Sequence, residues 1–284
     1  MNVAALVLTA AVLMHVAWNL LARASHPDTR FLWWALLGYL VVIGPWSLHA
    51  LVTQAHWSPT LAGLLVTSAL SNAVYFLVLG AAYRRAPVAL VYPIARSSPL
   101  LIALWSSLLF GEIIPGKGWI GILVSVGGLL VMASSAWRGE RRFVLLLAAT
   151  AALATSVYSL SNKFAVASLP TYGTQLGLVS FDLIASFTAL SIEQRLILGH
   201  WRPPAMPPLV RWLPAGLCIG NAYGLVIYAM QYLSAAYAVA FTNAGIVLAG
   251  LLSIFAFGER ERAGTRLVAI VVIACGLAVL ALSV

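Results

Sequence analysis

Charge is the scarcest thing in this sequence: 8% of its 284 residues are charged, and only seven of those are acidic, where soluble domains carry about 25%. A water-soluble fold of this size is excluded, because 62% of the residues are apolar and a single globule could not hide them. Cysteine is nearly absent. Cys218 and Cys275 both fall inside apolar runs, without the paired spacing of a zinc site or a disulfide framework, so they read as packing residues. The first apolar run has no basic segment before it and no small-residue cleavage site after it, so it reads as a true helix rather than a removable signal peptide. No HExxH, GxSxG or paired intramembrane Asp motif occurs, which argues against an intramembrane enzyme. No metal or cofactor is expected.

What the chain does contain is a succession of apolar runs. A span of the ~30 Å hydrocarbon layer takes about 20 apolar residues. Read between charged or turn-rich breaks, the sequence predicts helices over 2 to 22, 31 to 53, 60 to 83, 87 to 110, 115 to 136, 143 to 164, 172 to 192, 210 to 232, 235 to 257 and 264 to 284. The fold class is therefore an all-α membrane protein of ten transmembrane helices. Two separations rest on little: Arg84-Arg85-Ala86-Pro87 between the third and fourth helices, and Leu233-Ser234 between the eighth and ninth. Hydropathy alone also admits nine.

A net charge of +9 would suggest nucleic acid in a soluble protein. Here the basic residues occupy short loops, so no nucleic-acid partner is expected. Of the sixteen Lys and Arg residues, thirteen fall in the loops after the odd-numbered helices: Arg23, Arg30, Arg84, Arg85, Arg138, Arg141, Arg142, Arg195, Arg202, Arg211, Arg260, Arg262 and Arg266. The opposite side has only Lys117 and Lys163, and Arg96 lies inside a helix. The positive-inside rule places the thirteen in the cytoplasm and both termini outside.

The chain also repeats itself. LLFGEIIPGKGWIGILVSVGGLLVMAS, from Leu108, parallels IFAFGERERAGTRLVAIVVIACGLAVLAL, from Ile254, so that Gly111-Glu112 pairs with Gly258-Glu259. HVAWNLLAR from His15 aligns with TSVYSLSNK from Thr155, and Asn72 and Tyr83 fall over Asn221 and Tyr232. The expected organisation is two five-helix repeats, 1–137 and 138–284, in one compact membrane domain. Five is odd, so the second repeat enters the membrane inverted. Inverted repeats recur in secondary transporters, whose halves rock around a site near the bilayer midplane.

With HVAWN in the first helix, APVALVYPIARSSPLLIALWSSLLFGE in the fourth and its echo AAYAVAFTNAGIVLAGLLSIFAFGE in the ninth, the sequence resembles the EamA type of the drug/metabolite transporter superfamily over essentially its whole length. The resemblance implies a ten-helix inverted-repeat transporter, energised by proton or solute gradients and free of bound cofactor. Members include amino-acid and metabolite exporters, and more distant relatives exchange sugar phosphates. A multi-pass protein of a bacterial inner membrane follows from the same resemblance, acting on a small-molecule substrate within the lipid bilayer.

Buried polar residues mark candidate pathway positions, since hydrocarbon offers them no hydrogen bonds. Arg96 lies roughly 13 Å along the fourth helix at 1.5 Å per residue. Tyr92 precedes it by one turn, with Pro93 and Pro99 permitting a kink. Two readings stay open: a cationic anchor for a carboxylate or phosphate, or an Arg held by backbone carbonyls or by Asp182. Asp182 sits deep in the seventh helix, as a proton carrier or as the counter-ion of Arg96 or Lys163. That helix is expected to have a packing role at the bundle edge. His15, Trp18, Asn19 and Ala22 share a face of the first helix, and Thr155, Tyr158, Ser159 and Asn162 the equivalent face of the sixth. Similar stripes run through Asn72, Tyr75 and Tyr83 and through Asn221, Gly224, Tyr228 and Tyr232, while Asn243 adds an amide in the ninth. These faces would line an aromatic and amide-rich cavity; the competing reading is that they cross-link helices or sit in the interfacial belt. Gly118, Gly121, Ser125 and Gly128 form a small-residue stripe on the fifth helix, as do Ala274, Ala278 and Ala281 on the tenth, for packing within the chain or in a homodimer. WRPPAMPPL, Trp201 to Leu209, reads as an extended linker.

The leading functional expectation is export of a small metabolite, an amino acid with an aromatic or apolar side chain foremost. The alternative is uptake or exchange of an anionic phosphate- or phosphonate-bearing metabolite. A non-transporting membrane subunit stands behind both. The orientation is tested by a fluorescent reporter that matures only in the cytoplasm, fused after Val284: it is expected to stay dark, and bright cells would reverse the topology.

Overall fold

In the computed structural model, residues 3–23, 30–137, 139, 142–256, 258 and 262–283 are described. Arg138, Arg141, Arg260 and Glu259 lie outside them, as does the side chain of Arg23. All regular structure among the described residues is helical: α1 (Val3–Arg23), α2 (Phe31–Val42), α3 (Gly44–Gln54), α4 (Pro59–Tyr83), α5 (Val88–Ala95), α6 (Ser98–Phe110), α7 (Gly116–Ser134), α8 (Arg142–Ala165), α9 (Tyr172–Leu198), α10 (Leu209–Ala229), α11 (Ala235–Phe241), α12 (Ala244–Phe255) and α13 (Ala263–Ala281). Nine spans among these residues are long and apolar enough to cross a membrane, α5 with α6 and α11 with α12 each counting as one; α2 and α3 form a tenth if taken as one segment bent by 57°.

Three helices begin on side chains that substitute for missing helical partners. Ser58 caps α4 by accepting from the Leu61 amide at 3.1 Å. Thr171 caps α9 in a reciprocal box with Thr174, and Ser234 caps α11 by accepting from the Tyr237 amide at 3.2 Å. Ser234 thus turns the weak Leu233-Ser234 separation into a real boundary, since its hydroxyl serves a first-turn N–H that has no helical partner. Gly111 and Gly258, paired by the repeat, both adopt left-handed backbone, with φ of 66° and 67°, which glycine enters without steric cost.

Three spans are interrupted. Between α2 and α3 the cause is Gly44-Pro45, since Pro45 cannot donate to the carbonyl one turn back. Between α5 and α6, Pro93 and Pro99 flank the gap at Arg96-Ser97. Between α11 and α12 no proline is involved. The gap falls on Thr242-Asn243, where the Thr242 hydroxyl donates to the Val239 carbonyl at 2.6 Å and draws the backbone into tighter bonds spanning three residues, as from the Asn243 amide to the Ala240 carbonyl at 2.9 Å.

The chain divides into two compact units, residues 1–77 with 161–232 and residues 78–160 with 233–284. This partition by contact differs from the partition into repeats, which remains a reading of the sequence. In the first unit α10 packs on α1, α2 and α9, and α9 on α2 and α3. Gly216 lies directly against the Ala35 carbonyl, so α2 and α10 approach backbone to backbone. The seventh span does not lie at an edge: α9 buries thirteen side chains or glycines, among them Gln175, Asp182 and Gln194, with Asp182 served by Ser68 and the two glutamines donating to the Leu169 and His200 carbonyls. The loop 199–208 is pinned rather than free, with the Trp34 indole donating to the Ala205 carbonyl at 3.1 Å and Arg202 lying 5.2 Å from the Trp34 ring.

In the second unit α7 packs along α13. A Cβ on Gly121 would sit 2.7 Å from the Leu280 amide nitrogen, and one on Gly128 2.8 Å from that of Ile273. The stripe on α7 therefore packs within the chain. On α13 the contact face is Ala269, Ile273, Gly276 and Leu280, and the expected stripe Ala274, Ala278 and Ala281 is exposed instead. Alanine spacing alone could not show which side of α13 carried the glycine that lets α7 in.

Close packing of α7 on α13 yields a stability prediction. Gly121→Leu should destabilise the protein by about 1–3 kcal/mol through overpacking, read as a lower unfolding midpoint in detergent. Gly127→Leu, at a position with nothing within 4 Å, should leave the midpoint unchanged; equal effects would refute this account of the interface.

Candidate functional site

Arg96 ends α5 at the break in the fourth span, and Asn243 opens α12 at the break in the ninth. Their side chains meet. The Arg96 guanidinium donates through Nε to Asn243 Oδ1 at 3.2 Å and through Nη2 to the Thr242 hydroxyl. Asn243 returns a bond from Nδ2 to the Arg96 carbonyl oxygen at 3.3 Å. The Tyr92 ring lies 5.8 Å from the guanidinium carbon, within reach of a cation–π contact. Asn243 and Thr242 are buried, at 0% and 3% exposure, while Arg96 and Tyr92 keep part of their surface open.

This corrects the expectation that Arg96 is held by backbone carbonyls or by Asp182. Two side chains hold it, both from the span that echoes its own. Arg96 and Asn243 are 147 residues apart, the separation that also divides Gly111 from Gly258. In the register of that sequence match the two residues fall over each other, and in the structure they are bonded to each other. Thr242 was missed in the sequence because a lone threonine in an apolar span is unremarkable; the Thr-Asn pair mid-span, where hydrocarbon serves neither group, was the available signal.

In the first unit, Asp182 is 1% exposed and accepts a hydrogen bond at Oδ2 from Ser68, at 2.7 Å. Its other oxygen has no hydrogen-bond partner. Neither counter-ion expected for it is used in that way, since Lys163 donates to the Met230 carbonyl at 2.5 Å and Arg96 is served by Thr242 and Asn243. Around Asp182 runs a seam of buried polar contacts: Ser186 donates to Asn72 Oδ1 at 2.7 Å and to the Asp182 carbonyl at 2.9 Å, and the hydroxyls of Ser47 and Ser180 lie 2.7 Å apart. Asn162, 0% exposed, donates to the Tyr223 hydroxyl at 2.7 Å.

The other predicted residues divide between local and tertiary roles. His15 accepts from the Trp18 indole at 3.2 Å, and Asn19 donates to the His15 carbonyl at 2.7 Å, so this face of α1 is organised within its own helix while Trp18 also packs on the unit's apolar core. Asn221 turns back on the Leu217 carbonyl at 2.9 Å. Tyr75 stacks edge-on against Phe76 at 5.2 Å. Tyr228 lies between Tyr172 and Tyr232, with ring centroids at 6.1 and 5.8 Å. Tyr158, at 8% exposure, belongs to the second unit. Tyr92, Arg96 and Asn243 are thus brought together, whereas Asn72 and Asn162 are committed to contacts within the first unit.

Nine or ten apolar helical spans among the described residues, with an arginine bonded across two helix breaks, define the class as a multi-pass membrane protein. Over residues 1–134, a little under half of its length, the chain is similar to the EamA-like transporter family. A solved crystal structure of a protein has the same fold, with a TM-score of 0.74 and 23% identity across 98% of this chain and 97% of its own; at that identity the likeness concerns fold alone. No curated protein matches the chain significantly.

The seam in the first unit is tested through Ser68. Ser68→Ala removes the hydroxyl that donates to Asp182 Oδ2, and the lost partner should cost about 1–3 kcal/mol, seen as a lower unfolding midpoint. In an Asp182→Leu background the same change should cost far less. An undiminished cost there would place the role of Ser68 elsewhere.

Proposed function

We propose that the chain exports a small organic metabolite, an amino acid with an aromatic or apolar side chain foremost, by alternating access, with Arg96 meeting the carboxylate. The observation that carries this is a partly exposed guanidinium at a mid-span helix break. Few positions in a bilayer tolerate a permanent cation, which costs about 2.5–3.5 kcal/mol at a helix centre on insertion scales. Here two neutral side chains partner it and, among the described residues, no carboxylate neutralises it, so its charge remains available to an anionic solute. Helix breaks near the middle of spans are where transporters place such groups.

Tyr92 beside the guanidinium supports this reading; His15, Trp18, Asn19, Asn72, Tyr75, Tyr158, Asn162, Asn221 and Tyr228 are proposed, each within its own unit, as further candidate solute contacts. The coupling ion in this reading is a proton, carried by Asp182, whose carboxyl group is buried with one hydroxyl donor and no cation bonded to it. The charge asymmetry of the loops supports a bacterial inner membrane as the site of action.

Purified protein in proteoliposomes provides the test. Arg96→Ala should abolish flux of the transported amino acid, by at least about 100-fold if a charge-assisted contact of roughly 3 kcal/mol is lost, while the folded yield in detergent stays the same. Loss of folded protein in proportion to loss of flux would make Arg96 a structural clamp only. Competition by phosphate esters but not by free amino acids would transfer the function to an anionic phosphate- or phosphonate-bearing metabolite.

A further inference from the structure

A guanidinium offers two edges to oxyanions: a side edge formed by Nε with Nη2, and an end edge formed by Nη1 with Nη2. In this protein the side edge is occupied. Nε donates to Asn243 Oδ1 and Nη2 to the Thr242 hydroxyl, and both acceptors come from adjacent residues at one helix break. Each acceptor is itself fixed. The Thr242 proton is spent on the Val239 carbonyl at 2.6 Å, and the Asn243 amide nitrogen is spent on the Arg96 carbonyl at 3.3 Å. The plane of the guanidinium is therefore set from its side edge, and Nη1 makes no hydrogen bond among the described residues.

We propose that Thr242 and Asn243 are the positioning pair of an oxyanion site on Arg96, holding its side edge so that the end edge takes the two oxygens of a carboxylate or phosphate group. It rests on Arg96 being the solute's anchor, and it moves Asn243 from the set of solute ligands to the set of residues that aim the ligand. The register adds a reason for a single site. Where the two repeats meet at equivalent positions, one supplies Arg96 and the other the neutral Asn243, so one cation stands there rather than two repelling ones. One monovalent or divalent oxyanion matches that charge.

Phenylglyoxal supplies the test, since it condenses across the two Nη nitrogens of an arginine, the edge left open here. Modification of Arg96 is followed by peptide mass spectrometry on the full-length protein in detergent, with benzoate, inorganic phosphate or benzamide as competitor. Arg96 should be modified, and benzoate or phosphate should slow its modification while benzamide does not. Thr242→Val and Asn243→Ala should each raise the half-protecting benzoate concentration about tenfold, as expected for one lost hydrogen bond to a charged group, and Thr242→Ser should restore it. An unreactive Arg96, or protection equal for benzoate and benzamide, would overturn the end-edge site. Undiminished benzoate protection in both variants would overturn the positioning role and leave the anchor standing. If one of the two variants fails to yield folded protein, the other carries the test, with the same tenfold rise expected. Normal flux in Arg96→Ala, with benzoate protection intact in the unmodified chain, would refute the anchor and not the oxyanion site.

Discussion

Hydrocarbon offers no hydrogen bonds, so a helix can break inside a membrane only where another group serves the N–H and C=O groups set free. Two of the broken spans meet that requirement through each other. The carbonyl left open at Arg96 accepts from the Asn243 amide, and the side chain at the same residue reaches back to Asn243 and Thr242. The clamp thus does two things with one set of bonds: it serves the backbone carbonyl at the break in the fourth span, and it holds a cation near the middle of spans that would otherwise exclude one. A conserved charge balance is not needed for this, since the partners are neutral.

The same constraint shapes the first unit. Its interior contains serines, threonines, amides and the Asp182 carboxyl group, and nearly every one is tied to another helix or to its own backbone. Ser68 to Asp182, Ser186 to Asn72, Ser47 to Ser180 and Asn162 to Tyr223 join α3, α4, α8, α9 and α10. Apolar packing cannot hold helices together in lipid by excluding water, so such bonds and the close contact of small residues take over that task. Gly216 against the Ala35 carbonyl in one unit, and Gly121 and Gly276 between α7 and α13 in the other, show the second device.

Much of this was legible in the sequence. Apolar run length located the spans, because the width of the bilayer sets their length whatever their neighbours do. Pro93 and Pro99 signalled the break in the fourth span, because a missing N–H acts locally, whereas the break at Gly44-Pro45 inside the expected helix 31 to 53 was not read. Arg96 and Tyr92 could be placed on one face by helical spacing alone. What stayed hidden depended on partners far away in the chain: Thr242 as a ligand of Arg96, Ser68 as the donor to Asp182, the interior position of α9, and the face of α13 that meets α7. For the last, alanines and glycine offered competing stripes, and only the partner helix chose between them.

By itself, then, the sequence determined a membrane-spanning helical chain, its approximate spans, a strongly one-sided distribution of basic loops and an isolated intramembrane arginine. These follow from local composition measured against a bilayer of known thickness. The tertiary structure alone decided that the arginine is held by Thr242 and Asn243, that Asp182 is served by a serine rather than a cation, and that the ninth span is broken without proline. Each of those turns on which side chain fills the empty valence of another across roughly a hundred residues or more of intervening chain, and helical spacing, which repeats every ~3.6 residues, has no reach over that distance.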